Sequence, residues 1–333
     1  LRNNILNNES VPGALGRSVA LWYGGTNISN YQSVSNNNLL FSGSPGPQNL
    51  IFFDGNNSDQ TLGAFKARVT PREDKSVSVQ PQFISTNGAD ATFLHLSSGN
   101  NCQLLGGGDN TGILLSTDYD LEPRNISYPF ITDIGADEAG KFTAWTGANG
   151  TNWNDPANWS NGIVPNSTEA NVSITEPPVN QPVIGLGETF QVGTLYISPE
   201  ATLYNRGTLK VYGRQIATLE CIDNTQAGIV RGSMEYNGDC DAVQSISGSV
   251  FKNNVVRNLT VSNDLDFDAN TGEEVKVAET LSFGLVTGKT LSTGDNLVLL
   301  STATQTARVA DITGNSISGK ATVERFINTG VTS

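Results

Sequence analysis

The most regular hydrophobic pattern is a five-residue motif that recurs in the second half of the chain. It has the form x-Thr/Asn-Leu-x-apolar, so the leucine and the last residue share one face of a strand. Its copies occupy 193–197, 207–211, 257–261, 279–283 and 295–299. The first residues of successive copies are 14, 50, 22 and 16 positions apart. Such spacing predicts stacked rungs of variable length, with missed rungs in the widest gap.

A β-sandwich would show the same alternation of apolar and polar residues. One strand of this kind cannot bury its apolar face alone, whereas several stacked copies make a continuous core. The repetition therefore favours a β-solenoid-like module over residues 141–333, with a sandwich as the alternative.

The first part of the chain has short apolar runs at 2–8, 34–41 and 50–55, with asparagines inside the first two and on either side of the third. Asparagine tolerates the left-handed conformation that corners need, and stacked asparagine side chains can bond to one another. This pattern favours a parallel β-helix, although asparagine is also common in ordinary loops.

One segment has helical rather than strand periodicity. Leu62, Phe65 and Val69 fall on one face of a helix over 61–69, and Pro71 ends it. A single short helix in a β-rich chain predicts a lateral insert on the β body.

Composition limits the classes of partner. The chain has 333 residues, enough for two domains, and a net charge of −13 from 32 acidic and 19 basic residues. That balance disfavours nucleic acid and anionic membrane surfaces. The sequence contains no apolar run of 18 residues, so it predicts no membrane-spanning helix. The strand-like start and the lack of a closing element predict a fragment of a longer polypeptide.

The order of motifs in residues 1–140 resembles a known family. The motifs are FFDG at 52–55, the helix, SVQPQF at 78–83, FLHL at 93–96, TDYD at 117–120 with Arg124, and DIGADE at 133–138. They resemble the C-terminal end of right-handed parallel β-helix domains in large surface and secreted proteins of Bacteroidota. In those domains a DIGADE-like sequence closes the helix.

The second half resembles modules that follow such domains, through WTG at 145–147, NWN at 152–154, NWSNGIVP at 158–165 and VERFI at 323–327. The resemblance implies an extracellular protein exported by the type IX pathway, acting as an adhesin, a gliding-associated protein or a carrier of glycan-active domains. The sorting domain usual at the C-terminus of these proteins is absent from this sequence.

Two acidic groups are candidate Ca²⁺ sites, since Ca²⁺ takes several oxygen ligands. The first contains Asp118, Asp120, Asp133 and Asp137, with Glu138 and Arg124 nearby. Its alternative is a hydrogen-bonded cap in which Arg124 pairs with one carboxylate and others accept backbone N–H groups.

The second group is Asp264, Asp266 and Asp268, which alternate with Leu265 and Phe267 and therefore face outward together. A row of aspartates on a β-helix resembles the Ca²⁺ sites of polysaccharide lyases. Arg257 and Lys276 are the nearby candidates for a base. The alternative is a solvated acidic strand face.

Three further features have a functional and a structural interpretation. Trp145, Trp153 and Trp159 predict either a sugar-stacking platform or the core of the second module. Cys221 and Cys240 predict either a disulfide or two separate thiols, and Cys102 has no obvious partner. His95, the single histidine, is expected to be satisfied by hydrogen bonds, because no nucleophile motif accompanies it.

The sequence thus predicts an all-β, non-enzymatic stalk or filament segment at the bacterial surface, without a cofactor other than Ca²⁺. Its expected partners are other segments of the same protein, surface glycans, or further copies in a fibre. The alternatives are a glycan-active lyase or hydrolase and a carbohydrate-binding module.

Overall fold

The computed structural model describes residues 1–97, 101, 103–111, 116–124, 132–139, 141–175, 178–213, 215–217, 219–238, 243–267 and 272–327. The chain divides into two compact units, Leu1–Gly140 and Lys141–Ser333. Most of their regular structure is β-strand, and most strand pairs are parallel, which confirms the all-β class. No helix within the described ranges is long and apolar enough to span a bilayer.

Among its described residues, the first unit has few regular elements. They are β1 (Ile5–Asn7), β2 (Ser18–Trp22), β3 (Leu39–Phe41), β4 (Asn49–Phe53), β5 (Ser58–Asp59), helix α1 (Leu62–Val69) and a 3₁₀ turn (Ile28–Asn30). β1 pairs with β3 and β2 with β4, both in parallel, while β5 runs antiparallel to β4.

The helix begins one residue later than the sequence predicted. Thr61 is its N-cap, and its Oγ1 accepts a hydrogen bond from the Ala64 N–H at 3.2 Å. Phe65 and Val69 are buried, and the Phe65 ring stacks on Phe52 with centroids 4.7 Å apart. The apolar stripe therefore fixes α1 against β4.

Asparagines occupy corner positions of the first unit. Asn3 and Asn37 have φ of 55° and 54° and precede the paired strands β1 and β3. Beside them, Asn4 Nδ2 donates to Asn38 Oδ1 at 3.1 Å, and Asn38 Nδ2 donates to the buried Glu73 carboxylate at 3.0 Å. Left-handed corners and side-chain bonds between neighbouring strands are the roles expected of this pattern.

The second unit contains the remaining described strands. They are β6 (Lys141–Ala144), β7 (Ala170–Ile174), β8 (Val183–Ile184), β9 (Thr189–Val192), β10 (Leu195–Ile197), β11 (Leu203–Asn205), β12 (Thr208–Val211), β13 (Gln215–Ala217), β14 (Ile222–Asp223), β15 (Thr225–Gln226), β16 (Ile229–Val230), β17 (Ser233–Tyr236), β18 (Gln244–Ile246), β19 (Val255–Val261), β20 (Leu265–Phe267), β21 (Val275–Phe283), β22 (Thr290–Ser292), β23 (Leu297–Leu299), β24 (Arg308–Val309), β25 (Ser316–Ser318) and β26 (Ala321–Val323). Short 3₁₀ turns lie at Pro156–Asn158, Gly248–Val250 and Lys252–Asn254.

Four parallel sheets organise these strands. Sheet A has the order β13-β10-β7-β6, sheet B β14-β11-β8, sheet C β26-β23-β21-β19-β17-β12-β9, and sheet D β18-β20-β22-β25. β24 pairs with the second half of β21, and β15 and β16 form an antiparallel hairpin.

The chain visits the sheets in a cyclic order. From β7 to β14 it passes through A, B and C in turn, and from β17 to β23 it alternates between C and D. Each passage, here called a circuit, places a strand parallel to its counterpart from the previous circuit. Thr189 pairs with Thr208 and Leu265 with Leu291, so these circuits contain 19 (208 − 189) and 26 (291 − 265) residues.

The repeated motif forms strands in all five predicted places, and four of the five lie in sheet C. The missed rung in the widest gap is β17, between β12 and β19. Four residues form one buried row across successive circuits, each 1% exposed or less: Leu209, Met234, Leu259 and Leu281. Stacking therefore supplies the continuous core that no single strand could make.

Two buried asparagines link circuits of the second unit. Asn205 Nδ2 donates to Asn224 Oδ1 at 3.0 Å and to the Ser233 carbonyl at 3.1 Å, while Asn224 Nδ2 donates to the Val255 carbonyl at 3.0 Å. Both side chains are fully buried. They satisfy backbone groups where the chain turns from one sheet towards another.

Asp223, beside this pair, is buried and accepts hydrogen bonds from the Thr225 N–H and hydroxyl, both at 2.7 Å. The Lys252 ammonium lies 3.1 Å from its other oxygen. Burial alone would raise the pKa of Asp223, but the Thr225 bonds and Lys252 outweigh burial and lower it.

Candidate functional site

The candidate site lies at the segment 132–139, which contains the DIGADE sequence and packs into the first unit. Ile134 is fully buried, and its N–H donates to the Leu104 carbonyl at 2.9 Å. The Gly108 N–H donates to the Thr132 carbonyl at 2.9 Å, and the Gly135 N–H donates to the Asn3 carbonyl at 3.0 Å. Backbone bonds on both sides therefore fix this segment, called here the closing segment.

The glycine run at 106–108 makes this contact close. A Cβ on Gly108 would lie 2.5 Å from the Thr132 carbonyl oxygen, and one on Gly107 would lie 2.4 Å from the Gln103 carbonyl oxygen. These glycines serve close backbone packing.

Two of the predicted aspartates hold backbone groups. Asp133 accepts the Gly106 N–H at 2.6 Å and the Ala139 N–H at 2.9 Å. Asp118 accepts the Glu122 N–H at 2.8 Å and the Glu138 N–H at 3.0 Å. Burial, together with the neighbouring Asp120 carboxyl, raises the pKa of Asp118. These contacts are those of a hydrogen-bonded cap.

Arg124 ties the same region together. Its guanidinium donates to the Ala136 carbonyl at 2.6 Å and to Thr132 Oγ1 at 2.9 Å, and it lies 3.6 Å from the buried Glu138 carboxylate. Thr132 Oγ1 in turn donates to Glu138 at 2.7 Å. The single arginine of this region therefore has a carboxylate partner inside the closing segment.

The other two aspartates meet the single histidine. His95 Nε2 lies 3.3 Å from Asp120 Oδ2, and His95 Nδ1 lies 3.7 Å from Asp137 Oδ1. One ligand atom from each of the three residues falls within 4.8 Å of the others. Asp137 is buried, which raises its pKa, while the Leu96 N–H bond at 2.8 Å and His95 oppose that rise.

Backbone contacts position this histidine. The His95 carbonyl accepts the Ile84 N–H at 2.8 Å, next to the antiparallel bridge between Phe83 and Leu96. The hydrogen-bonded role expected for His95 is incomplete, because its Nε2 is shielded from solvent without a hydrogen-bond partner. The arrangement can hold a charged imidazole between two carboxylates or bind a metal ion.

No sequence pattern indicated this association. His95 precedes Asp120 by 25 positions (120 − 95) and Asp137 by 42 (137 − 95), across segments without regular periodicity. Only the presence of the single histidine ahead of an acidic stretch could have suggested it.

The second acidic row has structural contacts of its own. Asp264 Oδ1 accepts the Thr290 N–H at 2.7 Å, and its other oxygen lies 3.9 Å from Lys289 Nζ. Asp264 and Asp266 are half-buried, while Leu265 and Phe267 are buried, as the alternation predicted. Asp268 lies outside the described residues.

The candidate bases do not join this row. Arg257 pairs with Glu279, and Lys276 Nζ lies 3.4 Å from Glu274. Both bases are on strands of sheet C, whereas Asp266 is on β20 of sheet D. Their charges are therefore matched locally, away from the aspartates.

The interpretation of the three tryptophans as an open sugar platform is wrong. Trp145, Trp153 and Trp159 are at most 4% exposed, and Trp159 packs edge-on against both others at 5.0 and 4.7 Å. Each indole N–H faces a backbone carbonyl, that of Trp145 donating to Asn180 at 2.7 Å. No ring face is left for a sugar, and the cluster instead forms core beside Phe190.

The predicted disulfide would join Cys221 and Cys240. Cys221 is buried in the core of the second unit. Cys240 and Cys102 lie outside the described residues.

Comparison with known proteins identifies no relative: no family model, no curated protein and no solved structure matches the chain.

Proposed function

We propose that this chain is a structural segment of a large bacterial surface or secreted protein, of the kind found in Bacteroidota. Two consecutive right-handed parallel β-helical bodies would form a stiff stalk that spaces or presents adhesive parts. The observation that carries the proposal is the cyclic visiting of sheets A, B, C and D by parallel strands.

The physical support is the way each circuit is tied to the next. Parallel backbone pairing joins counterpart strands, and the row Leu209, Met234, Leu259 and Leu281 joins their side chains. Load applied along such a stack is shared by many backbone hydrogen bonds, and length grows with the number of circuits. This is the behaviour required of a stalk.

The charged groups favour a structural over a glycan-active role. Asp264 is engaged by a backbone N–H and a lysine of the next circuit, and Arg257 is paired with Glu279. A lyase requires a base beside its metal-bound carboxylates, and Arg257 and Lys276, the two bases predicted for this row, are paired elsewhere.

The proposed setting is the cell exterior, where neighbouring segments of the same protein, surface glycans or further copies would be the partners. The net charge of −13 would keep such a body soluble and limit non-specific association.

Single-molecule force spectroscopy of the full chain tests the stalk. Leu259 pairs with Leu281, a circuit of 22 residues (281 − 259), which releases about 75 Å when stretched. We expect repeated extension steps near this length at high force. A single low-force step for the whole second unit would refute the proposal.

Incubation with a polysaccharide panel, first with Ca²⁺ and then with chelator, tests the absence of catalysis. Unchanged substrates support a structural role. Released oligosaccharide that disappears in the Asp264→Asn/Asp266→Asn variant would instead establish a glycan-active protein.

A further inference from the structure

We propose that His95, Asp120 and Asp137 bind one divalent transition-metal ion, with Zn²⁺ as the best match, and that this ion fastens the closing segment of the first unit. The sequence alone indicated Ca²⁺ and a set of four aspartates. The geometry selects two of those aspartates and adds the histidine.

Two of the three ligand atoms already have the separation that such an ion needs. Zinc bonds of about 2.0–2.1 Å in a tetrahedron put neighbouring ligand atoms about 3.3 Å apart. His95 Nε2 and Asp120 Oδ2 are 3.3 Å apart, and all three ligand atoms fall within 4.8 Å. Asp137 Oδ1 lies 3.7 Å from Nδ1, the other ring nitrogen. Asp137 would therefore have to move by up to about 1.5 Å towards Nε2 to complete a three-ligand set, with water in the fourth position.

The environment of His95 Nε2 also favours a bound ion. His95 Nε2 is shielded from solvent and makes no hydrogen bond of regular geometry, although Asp120 Oδ2 lies 3.3 Å away. A buried polar atom in this state is unfavourable unless another group binds it. A metal ion would satisfy the nitrogen and both carboxylates together.

The surrounding contacts leave the required atoms available. Asp137 uses Oδ2 for the Leu96 N–H at 2.8 Å, so Oδ1 remains directed towards the imidazole. Asp120 belongs to an exposed turn, which would give the ion and a water ligand access from solvent. The histidine is held by its own backbone bonds.

The donor set distinguishes Zn²⁺ from Ca²⁺. Calcium takes six to eight oxygen ligands, whereas imidazole nitrogen with carboxylate oxygen suits zinc and similar ions. Negative charge also exceeds positive charge here, because Asp118 and Glu138 lie beside the proposed ligands with Arg124 as the nearby arginine. A divalent cation would reduce this repulsion.

The ion would connect three separate parts of the first unit. His95 follows the bridge at 83–96, Asp120 lies in the turn after Asp118, and Asp137 lies in the closing segment. Binding to the folded state alone would stabilise that state by mass action. The proposed ion would thus stabilise the fold by linking these three segments, independent of any catalytic role.

The test uses the full chain without a histidine tag, stripped with chelator and titrated with ZnCl₂ in a calorimeter. We expect one Zn²⁺ per chain, a higher melting temperature, and visible d–d absorption when Co²⁺ replaces zinc. Asp120→Asn should weaken binding about 10-fold or more, and His95→Gln should also change the Co²⁺ spectrum.

Asp74→Asn is the matched control, because Asp74 is an exposed aspartate of the same unit. It should bind zinc like the unaltered chain. Because Asp120 is exposed, its variant should fold, which far-ultraviolet circular dichroism of the stripped protein verifies.

Three results would overturn the proposal. The first is no zinc binding, and the second is zinc binding by Asp120→Asn and His95→Gln as tight as that of the unaltered chain. The third is that Ca²⁺ raises the melting temperature as much as Zn²⁺ does. Loss of stability in His95→Gln without any zinc effect would identify His95 as a charged bridge between two carboxylates instead. Because stalk behaviour is measured by force on the second unit, its outcome is separate from this one.

Discussion

Replacing Asn205 with alanine should destabilise the second unit by a large amount, although only one buried side chain changes. Its Nδ2 donates to Asn224 Oδ1 and to the Ser233 carbonyl, and its Oδ1 accepts the Gly207 N–H at 3.2 Å. All of this is buried from solvent, with both asparagines fully inaccessible. Alanine would leave three polar atoms without this partner.

The magnitude follows from those contacts. A buried polar group that loses its partner costs about 1–3 kcal/mol. The carbonyl has a second lone pair and the chain can relax partially, so the sum is reduced to about 2–4 kcal/mol for Asn205→Ala. Water is a poor substitute, because a Cβ on the adjacent Gly232 would already lie 2.3 Å from Asn224 Oδ1.

Equilibrium urea unfolding followed by tryptophan fluorescence measures this loss. Trp145, Trp153 and Trp159 are buried in the second unit, whereas Trp22 of the first unit is 65% exposed, so the signal reports mainly the second unit. Variants are compared through their midpoints at unchanged slope.

The matched control is Asn154→Ala, at an exposed asparagine of the same unit, with an expected change below about 0.5 kcal/mol. The double variant Asn205→Ala/Asn224→Ala should lose less than the sum of the single losses, because each change removes a partner of the other. A loss below about 1 kcal/mol for Asn205→Ala, or strict additivity, would refute the argument that side chains link the circuits.

Three further predictions use other contacts. Trp153→Ala should cost about 3–5 kcal/mol in urea unfolding followed by circular dichroism, while Trp22→Ala should cost much less; equal losses would contradict a core role for the cluster. Gly248→Ala should lower the melting temperature sharply, because its Cβ would lie 1.7 Å from a carbonyl oxygen. Gly63→Ala, inside α1, should instead stabilise the folded state by about 0.5–1 kcal/mol. Similar melting curves for the two variants would count against both predictions. The pKa of Asp223 is lowered in the folded state, so the stabilisation it supplies is present above its unfolded pKa of about 3.9 and is lost as pH falls through the folded pKa. The difference in unfolding free energy between the unaltered chain and Asp223→Asn should therefore shrink under acid conditions. A difference that does not change with pH would exclude this linkage.

The repeat in the second unit could be predicted because its signal is periodic. Leucine and an apolar residue recur in a fixed relation, and strands at all five copies follow. β17 does not match the motif, because Met234 occupies the inward place that leucine fills in the other copies. Stacking requires an apolar side chain of suitable size at each place, and several residue types meet that need.

The contact around His95 could not be predicted, because it depends on irregular segments. Asp120 and Asp137 reach the imidazole through turns. The course of these turns depends on glycine packing and on the backbone N–H groups that donate to the carboxylates of Asp118 and Asp133. No period relates these positions. Carboxylates in the sequence indicated a cation, whereas only the fold reveals which of them share a site and which satisfy N–H groups.

The last described strand shows why burial belongs to the stack rather than to any one strand. β26 pairs with β23 on one side and ends the order of sheet C. Val323 lies in register beside Leu299, yet Val323 is 65% exposed and Leu299 only 6%. Both strands place these residues on the same inward row, so the difference arises from the number of neighbouring circuits. An apolar inward row therefore marks where another circuit would be stabilised, and each added circuit buries the one before it.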